Sequence, residues 1–137
     1  MLVHAELTER IIGAAIAVHT VLGPGFLESF YEEALAVELD HSGLKYRRQW
    51  PVPVHYRGKR IGEHRLDFLV EDLVVVELKA VHVLENIFFA VVRSYLKATQ
   101  LEPGLLFNFA TMPVTVKRVG RKESARVGFP PGDEAPL

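Results

Sequence analysis

The spacing of apolar positions divides the chain into blocks of different period. Leu7, Ile11, Ala14, Val18 and Leu22 recur at steps of three or four, which places them on one helical face. Thr8 is positioned to cap that helix, with Leu7 just outside and Ile12 at the fourth helical position as a hydrophobic staple. Gly23-Pro24-Gly25 must break it. A second helix is predicted over about 27–40, with Glu28, Glu32 and Glu33 near its positive end, Gly43 as terminator and Leu27, Tyr31, Ala34 and Leu35 turned inward. Glu28 precedes Tyr31 by three residues and Leu35 by seven, so its carboxylate lies beside the apolar face rather than opposite it.

Beyond Gly43 the period becomes that of extended chain. Segments 46–50, 52–56 and 61–70 read as strands, with Arg57-Gly58-Lys59 as a hairpin turn, and Pro51 and Pro53 call for a bulge or a sheet edge. The run Leu73-Val74-Val75-Val76-Glu77-Leu78 is almost continuously apolar, as expected of a strand covered on both faces, and should form the centre of the sheet. A third helix over about 84–99 is apolar nearly all round through Ile87-Phe88-Phe89-Ala90-Val91-Val92, which predicts deep burial or pairing of that part. Strands at 105–109 and 114–119 follow. The order helix, helix, three strands, helix, two strands fits an α/β domain with a mixed sheet flanked by helices.

Length and charge narrow the classes. The 137 residues suit one domain, here expected over 1–127, with the Pro- and Gly-dense segment 128–137 as a flexible tail. The absence of Cys removes disulfide scaffolds and thiolate metal sites. No apolar run reaches membrane-spanning length, and Glu6 and Glu9 precede the first apolar block, so no membrane is expected as a partner and a cytoplasmic location is. A formal charge of −1 argues against a generally basic nucleic-acid coat. Local patches remain.

Three charged residues interrupt the segments that should be best buried. Asp67 sits between Leu66 and Phe68, while Glu77 and Lys79 flank Leu78 and therefore share one strand face. Buried carboxylates require partners: Lys79 can neutralise one, and a divalent cation can hold two. Taken alone, the trio reads first as a buried ion pair with one additional hydrogen-bonded acid. Whether the acids meet depends on register. A two-residue turn at Glu71-Asp72 would pair Asp67 with Val76 and send Glu77 to the other face, whereas a three-residue connection through Leu73 pairs Val70 with Val74 and Asp67 with Glu77. The odd register is predicted.

An ordered set of motifs accompanies these residues. Gly25-Phe26-Leu27-Glu28-Ser29-Phe30-Tyr31 has the pattern Gly-x-x-Glu-x-x-Tyr, preceded by Val18-His19 and Leu22-Gly23-Pro24; Asp67, Glu77-Leu78-Lys79-Ala80, Tyr95-Leu96-Lys97 and Gly104-Leu105-Leu106-Phe107-Asn108-Phe109 follow in order. With them the chain resembles the GxxExxY proteins of the PD-(D/E)XK nuclease superfamily over about 7–119. The resemblance implies a nuclease-like fold, hydrolysis of phosphodiester bonds in DNA or RNA, and Mg²⁺ or Mn²⁺ as cofactor. It maps Glu28, Asp67 and Glu77 onto metal-ligating acids and, with Lys79 as catalytic lysine, onto the catalytic set. One position departs: relatives commonly carry Gln four residues before Tyr-Leu-Lys, where this chain has Val91. That departure suits the alternative of a catalytically inactive nuclease-fold protein that binds nucleic acid or another protein, including a second copy through the third helix.

Other residues read more plainly. Glu28 alone fits helix-terminus electrostatics, Tyr31 a core aromatic with a bonded hydroxyl, and His19 packing at least as well as a site role. Basic residues gather in two stretches: Lys45, Arg47, Arg48, Arg57, Lys59, Arg60 and Arg65, opposed by Glu63, and Lys117, Arg118, Arg121, Lys122 and Arg126, opposed by Glu123. If the fold joins them they would grip a phosphate backbone, with Tyr46, Trp50 or Tyr56 stacking on bases; otherwise they are solvated strand faces.

Overall fold

The computed structural model describes residues 2–122. The expected tail, with Glu123 and Arg126, lies outside them. Helices α1 (Ala5–Leu22) and α2 (Glu28–His41) precede strands β1 (Tyr46–Tyr56), β2 (Lys59–Val70) and β3 (Val74–Lys79); α3 (Asn86–Thr99), β4 (Gly104–Asn108) and β5 (Thr115–Val119) follow. The sheet runs β1-β2-β3-β4-β5, antiparallel except for the parallel β3–β4 pair that α3 connects. β3 is central, as its Val-rich run requires.

Helices cover both faces. Ile11, Val18, Tyr31 and Leu35 pack on Phe68, Val76, Leu78 and Phe107 on one side. On the other, Val92, Tyr95 and Leu96 of α3 meet Leu66, Leu69, Val75 and Leu106. Each face removes a continuous apolar surface from water, the dominant favourable term in folding.

Several local expectations are corrected. α1 starts at Ala5 with His4 as its N-terminal flank, so Thr8 lies inside the helix; its hydroxyl hydrogen-bonds the carbonyls of His4 and Ala5, and Arg118 reaches it from β5 at 2.8 Å. Thr8 thus bonds within the first turn and docks β5 rather than capping the helix. Leu27 is 72% exposed rather than inward, since it precedes the helix proper in extended conformation. Segments 46–50 and 52–56 form one continuous strand, and β1 is a sheet edge that tolerates Pro51 and Pro53. The early part of α3 is not deeply buried: Ile87 is 51% exposed, and Phe88, Phe89 and Val91 are only partly covered.

The tightest backbone approach is at Gly104. A Cβ there would lie 2.7 Å from Val92 Cγ1, which a β-branched side chain in a packed helix does not readily vacate. Gly104→Ala is expected to destabilise the fold by about 1–3 kcal/mol, read as a lower urea midpoint at unchanged slope.

Candidate active site

The site forms where β2 and β3 part. Val70 pairs with Val74, Leu69 with Val75 and Phe68 with Val76, the odd register, set by Glu71, Asp72 and Leu73. Glu71 and Asp72 take positive φ (54° and 58°), and the Leu73 amide closes on the Val70 carbonyl at 2.9 Å. The backbone ladder stops one step before Asp67. There the Asp67 Oδ2 accepts the Leu78 amide at 2.8 Å, in the place a strand carbonyl would otherwise fill. Side-chain alternation also breaks at this residue, since Leu66 packs under α3 while Phe68 packs under α1 and α2.

β3 brings the other charges. Glu77 is 5% exposed, and its Oε2 lies 3.4 Å from Lys79 Nζ, which in turn sits 4.9 Å over the Phe88 ring of α3. Glu77 Oε1 is buried with no hydrogen-bond donor to satisfy it. Burial, followed by the neighbouring Asp67 charge, pushes the Glu77 carboxyl up to about 8. Burial also raises Asp67, against the Leu78 amide that favours its charged form. The pair is therefore short of positive charge even with Lys79 beside it.

Glu28 enters from the exposed start of α2. Its carboxyl is raised by partial burial and the nearby Asp67, opposed by Lys79 and the Ala80 amide, so it lies in the field of Asp67 and Lys79. The loop that delivers it is fixed by Tyr31: this buried hydroxyl donates to the Gly23 carbonyl at 2.6 Å and accepts the Phe26 amide at 3.2 Å. Gly25, at φ 113°, makes the turn in a conformation other residues avoid. The first and last residues of Gly-x-x-Glu-x-x-Tyr thus hold the loop, and the middle one faces the acids.

Among the described residues no three acid or histidine side chains gather into a metal-ligand set. What the fold supplies is a convergent pair, Asp67 and Glu77, with one orphaned buried oxygen. Such a donor set is of the kind hard divalent cations accept, one or two carboxylates with water completing the shell.

Sequence reasoning missed Gln49. Its Nε2 spans Glu32 Oε1 at 2.9 Å and Asp67 Oδ1 at 3.3 Å, and Glu32 is held by Arg48 at 2.9 Å. Gln49 takes φ 49° within β1, a conformation no local signal in Gln announces, and its carbonyl accepts Arg65. Tyr95 of α3 also borders the pair: burial, then the charges of Glu77 and Asp67, suppress ionisation of its hydroxyl. His19, by contrast, packs against Phe109 at 6.2 Å between ring centres, on the α1 side of the sheet.

The two basic stretches do not meet. β1 and β5 are opposite edges of the sheet, so Lys45–Arg65 and Lys117–Lys122 lie apart. Several arginines are also paired: Arg47 with Asp72 at 2.9 Å, Arg48 with Glu32 and Glu33, Arg60 and Arg65 with Glu63.

A family model of the PD-(D/E)XK nuclease superfamily matches residues 5–119, from the first residue of α1 to the last of β5. The chain belongs to that superfamily. No curated protein and no solved structure matches it. The superfamily's nucleases generally use divalent metals, and its name points to nucleic-acid substrates. None of the described helices is long and apolar enough to cross a membrane.

The raised Glu77 carboxyl makes stability pH-dependent. The folded protein keeps a proton that the unfolded chain releases near 4.5, so the contribution is complete below that pH and is lost as pH rises through about 8. Thermal melts of metal-free protein should show the midpoint falling across this window. Glu77→Gln should flatten that fall and raise stability at pH 8 by on the order of 2–4 kcal/mol.

Proposed function

We propose that this chain is a divalent-metal-dependent nuclease of the GxxExxY type that hydrolyses phosphodiester bonds in DNA or RNA. The supporting observation is the buried Asp67–Glu77 pair, with Glu77 Oε1 unsatisfied and Lys79 Nζ 3.4 Å from its other oxygen. Three raised carboxyls against one ammonium make a pocket that favours a dication.

In this reading Asp67 and Glu77 would hold Mg²⁺ or Mn²⁺, and Glu28 would add a third acid from the helix start. The bound ion would polarise the phosphodiester and lower the pKa of a water. Lys79, steadied over Phe88, orients the attacking water or offsets charge growing on the phosphate. Gln49 keeps Asp67 turned toward the Leu78 amide and so fixes its carboxylate. Water adds at phosphorus, the bond to one strand oxygen breaks, and the products carry a phosphomonoester and a hydroxyl.

A second reading rests on α3. Val91, partly covered against the α3 core, stands where relatives place a polar Gln, and Ile87 stays exposed, which suits a non-catalytic module binding nucleic acid or a second copy.

Metal titration followed by cleavage of single- and double-stranded DNA and RNA separates the two. The expected result is divalent-dependent cleavage, reduced at least about 100-fold in Asp67→Ala and Lys79→Ala with folding retained. Mg²⁺ should also raise the melting temperature of wild type at pH 8 and leave Asp67→Ala unmoved. Equal cleavage by wild type and both variants would sink the nuclease reading, and metal-independent self-association lost on a polar change at Phe88 or Phe89 would favour the second.

A further inference from the structure

The β1–β2 hairpin outruns the rest of the sheet. β2 meets β3 only at Phe68, Leu69 and Val70, so residues 50–56 and 59–66 pair with each other as a two-stranded arm. α3 lies against this arm. Between them is a groove of about 360 Å³, lined by Pro53, His55 and His64 of the arm and by Ser94, Lys97 and Ala98 of the helix, at positions i, i+3 and i+4 of one helical face.

The lining has the chemistry of an anion site. No carboxylate lines the groove, and Lys97 makes no ion pair among the described residues. Ser94 and His64 approach at 3.1 Å, a contact that invites a serine-nucleophile reading. Geometry excludes it. The Ser94 hydroxyl donates to the Val91 carbonyl at 2.6 Å, so the proton in the contact with His64 must sit on the imidazole Nε2, and the ring is no base toward that serine. With the Ser94 and His64 Nε2 protons already donated, and burial holding His64 neutral, the His55 imidazole and the Lys97 ammonium remain to meet a ligand. Just beyond His55, Arg57 and Lys59 flank the hairpin turn, also without ion-pair partners among the described residues.

The groove adjoins the acidic pair. The His64 ring packs edge-on to Tyr95 at 4.5 Å, and Tyr95 in turn lies in the field of Glu77 and Asp67. His64 precedes Asp67 by three residues of β2, roughly 10 Å of strand, or about three base steps of a nucleic-acid strand. We propose that this groove seats backbone phosphates of the substrate strand on one flank of the bond cleaved at Asp67 and Glu77, with Lys97 as the principal cation. The proposal rests on the nuclease reading for the identity of its ligand.

Binding measured without metal tests the groove separately from catalysis. Full-length protein in EDTA is titrated into fluorescein-labelled 20-nucleotide single-stranded DNA, the duplex and the matching RNA, with anisotropy read at several NaCl concentrations. Lys97→Glu should weaken binding by about tenfold or more, and Lys97→Ala should lower the steepness of log K against log salt by about one. Lys117→Glu, an exposed charge reversal on β5 at the opposite edge, should leave both unchanged. Wild-type affinity and salt slope in the Lys97 variants, or an equal loss in Lys117→Glu, overturns the groove even if cleavage is intact. A Lys97-dependent affinity supports it even if no variant cleaves, an outcome that removes the nuclease reading alone. The nucleic acid bound most tightly identifies the substrate class.

Discussion

At one step of the sheet a carboxylate takes a backbone amide that a neighbouring strand would ordinarily accept, and the site depends on that exchange. Had the β2–β3 ladder continued past Phe68↔Val76, Asp67 would be one more strand residue with its side chain set by alternation. Instead the Asp67–Leu78 bond lets the strands separate without leaving a buried donor unpaired. Separation opens room for Glu77 and Lys79. It also frees the distal hairpin to become an arm, so the acidic pocket and the groove beside α3 share one structural cause.

The electrostatics follow from the same opening. Glu77 is buried by α3 and the sheet, yet its nearest charged neighbours are another acid and a lysine already in contact with its second oxygen. A protein selected only for stability would replace such a residue, because an apolar side chain of similar shape removes the desolvation cost. Its raised proton affinity is stored electrostatic strain, of the kind that gathers at functional sites. The surrounding network resists collapse of the pocket: Arg48 holds Glu32, Glu32 holds Gln49, and Gln49 holds Asp67. These links run from β1 to α2 and back through β1 to β2, which fixes Asp67 from the side opposite β3.

Legibility in the sequence tracked the range of the interactions. The element order and the central position of β3 follow from apolar period, a local signal, and the odd register follows from counting residues between Asp67 and Glu77 under the demand that both face one way. Gly25 and Tyr31 signalled a turn and a core aromatic, but the bond from Tyr31 back to Gly23 depends on how α1 and α2 cross. The fate of the basic residues was not legible. Whether 45–65 and 117–122 converge is decided by strand order, and which arginines are neutralised is decided by Asp72, Glu32, Glu33 and Glu63 arriving from elsewhere. Counting charge in a segment measured nothing about charge on a face.

Val91 shows the same limit from the other direction. On a motif basis the missing Gln removes a polar group from α3, and the helix does present an aliphatic side chain to the core there. Yet Asp67 is not without a side-chain amide, because Gln49 approaches from β1 at 3.3 Å, held by a positive φ that only the surrounding bonds stabilise. An amide donor supplied by an edge strand constrains the carboxylate much as one supplied by a helix would, since what matters to Asp67 is the direction of an N–H and not the element that carries it. The apolar position on α3 is then compatible with an ordered acidic site, oriented in this chain from the strand that also forms one wall of the arm.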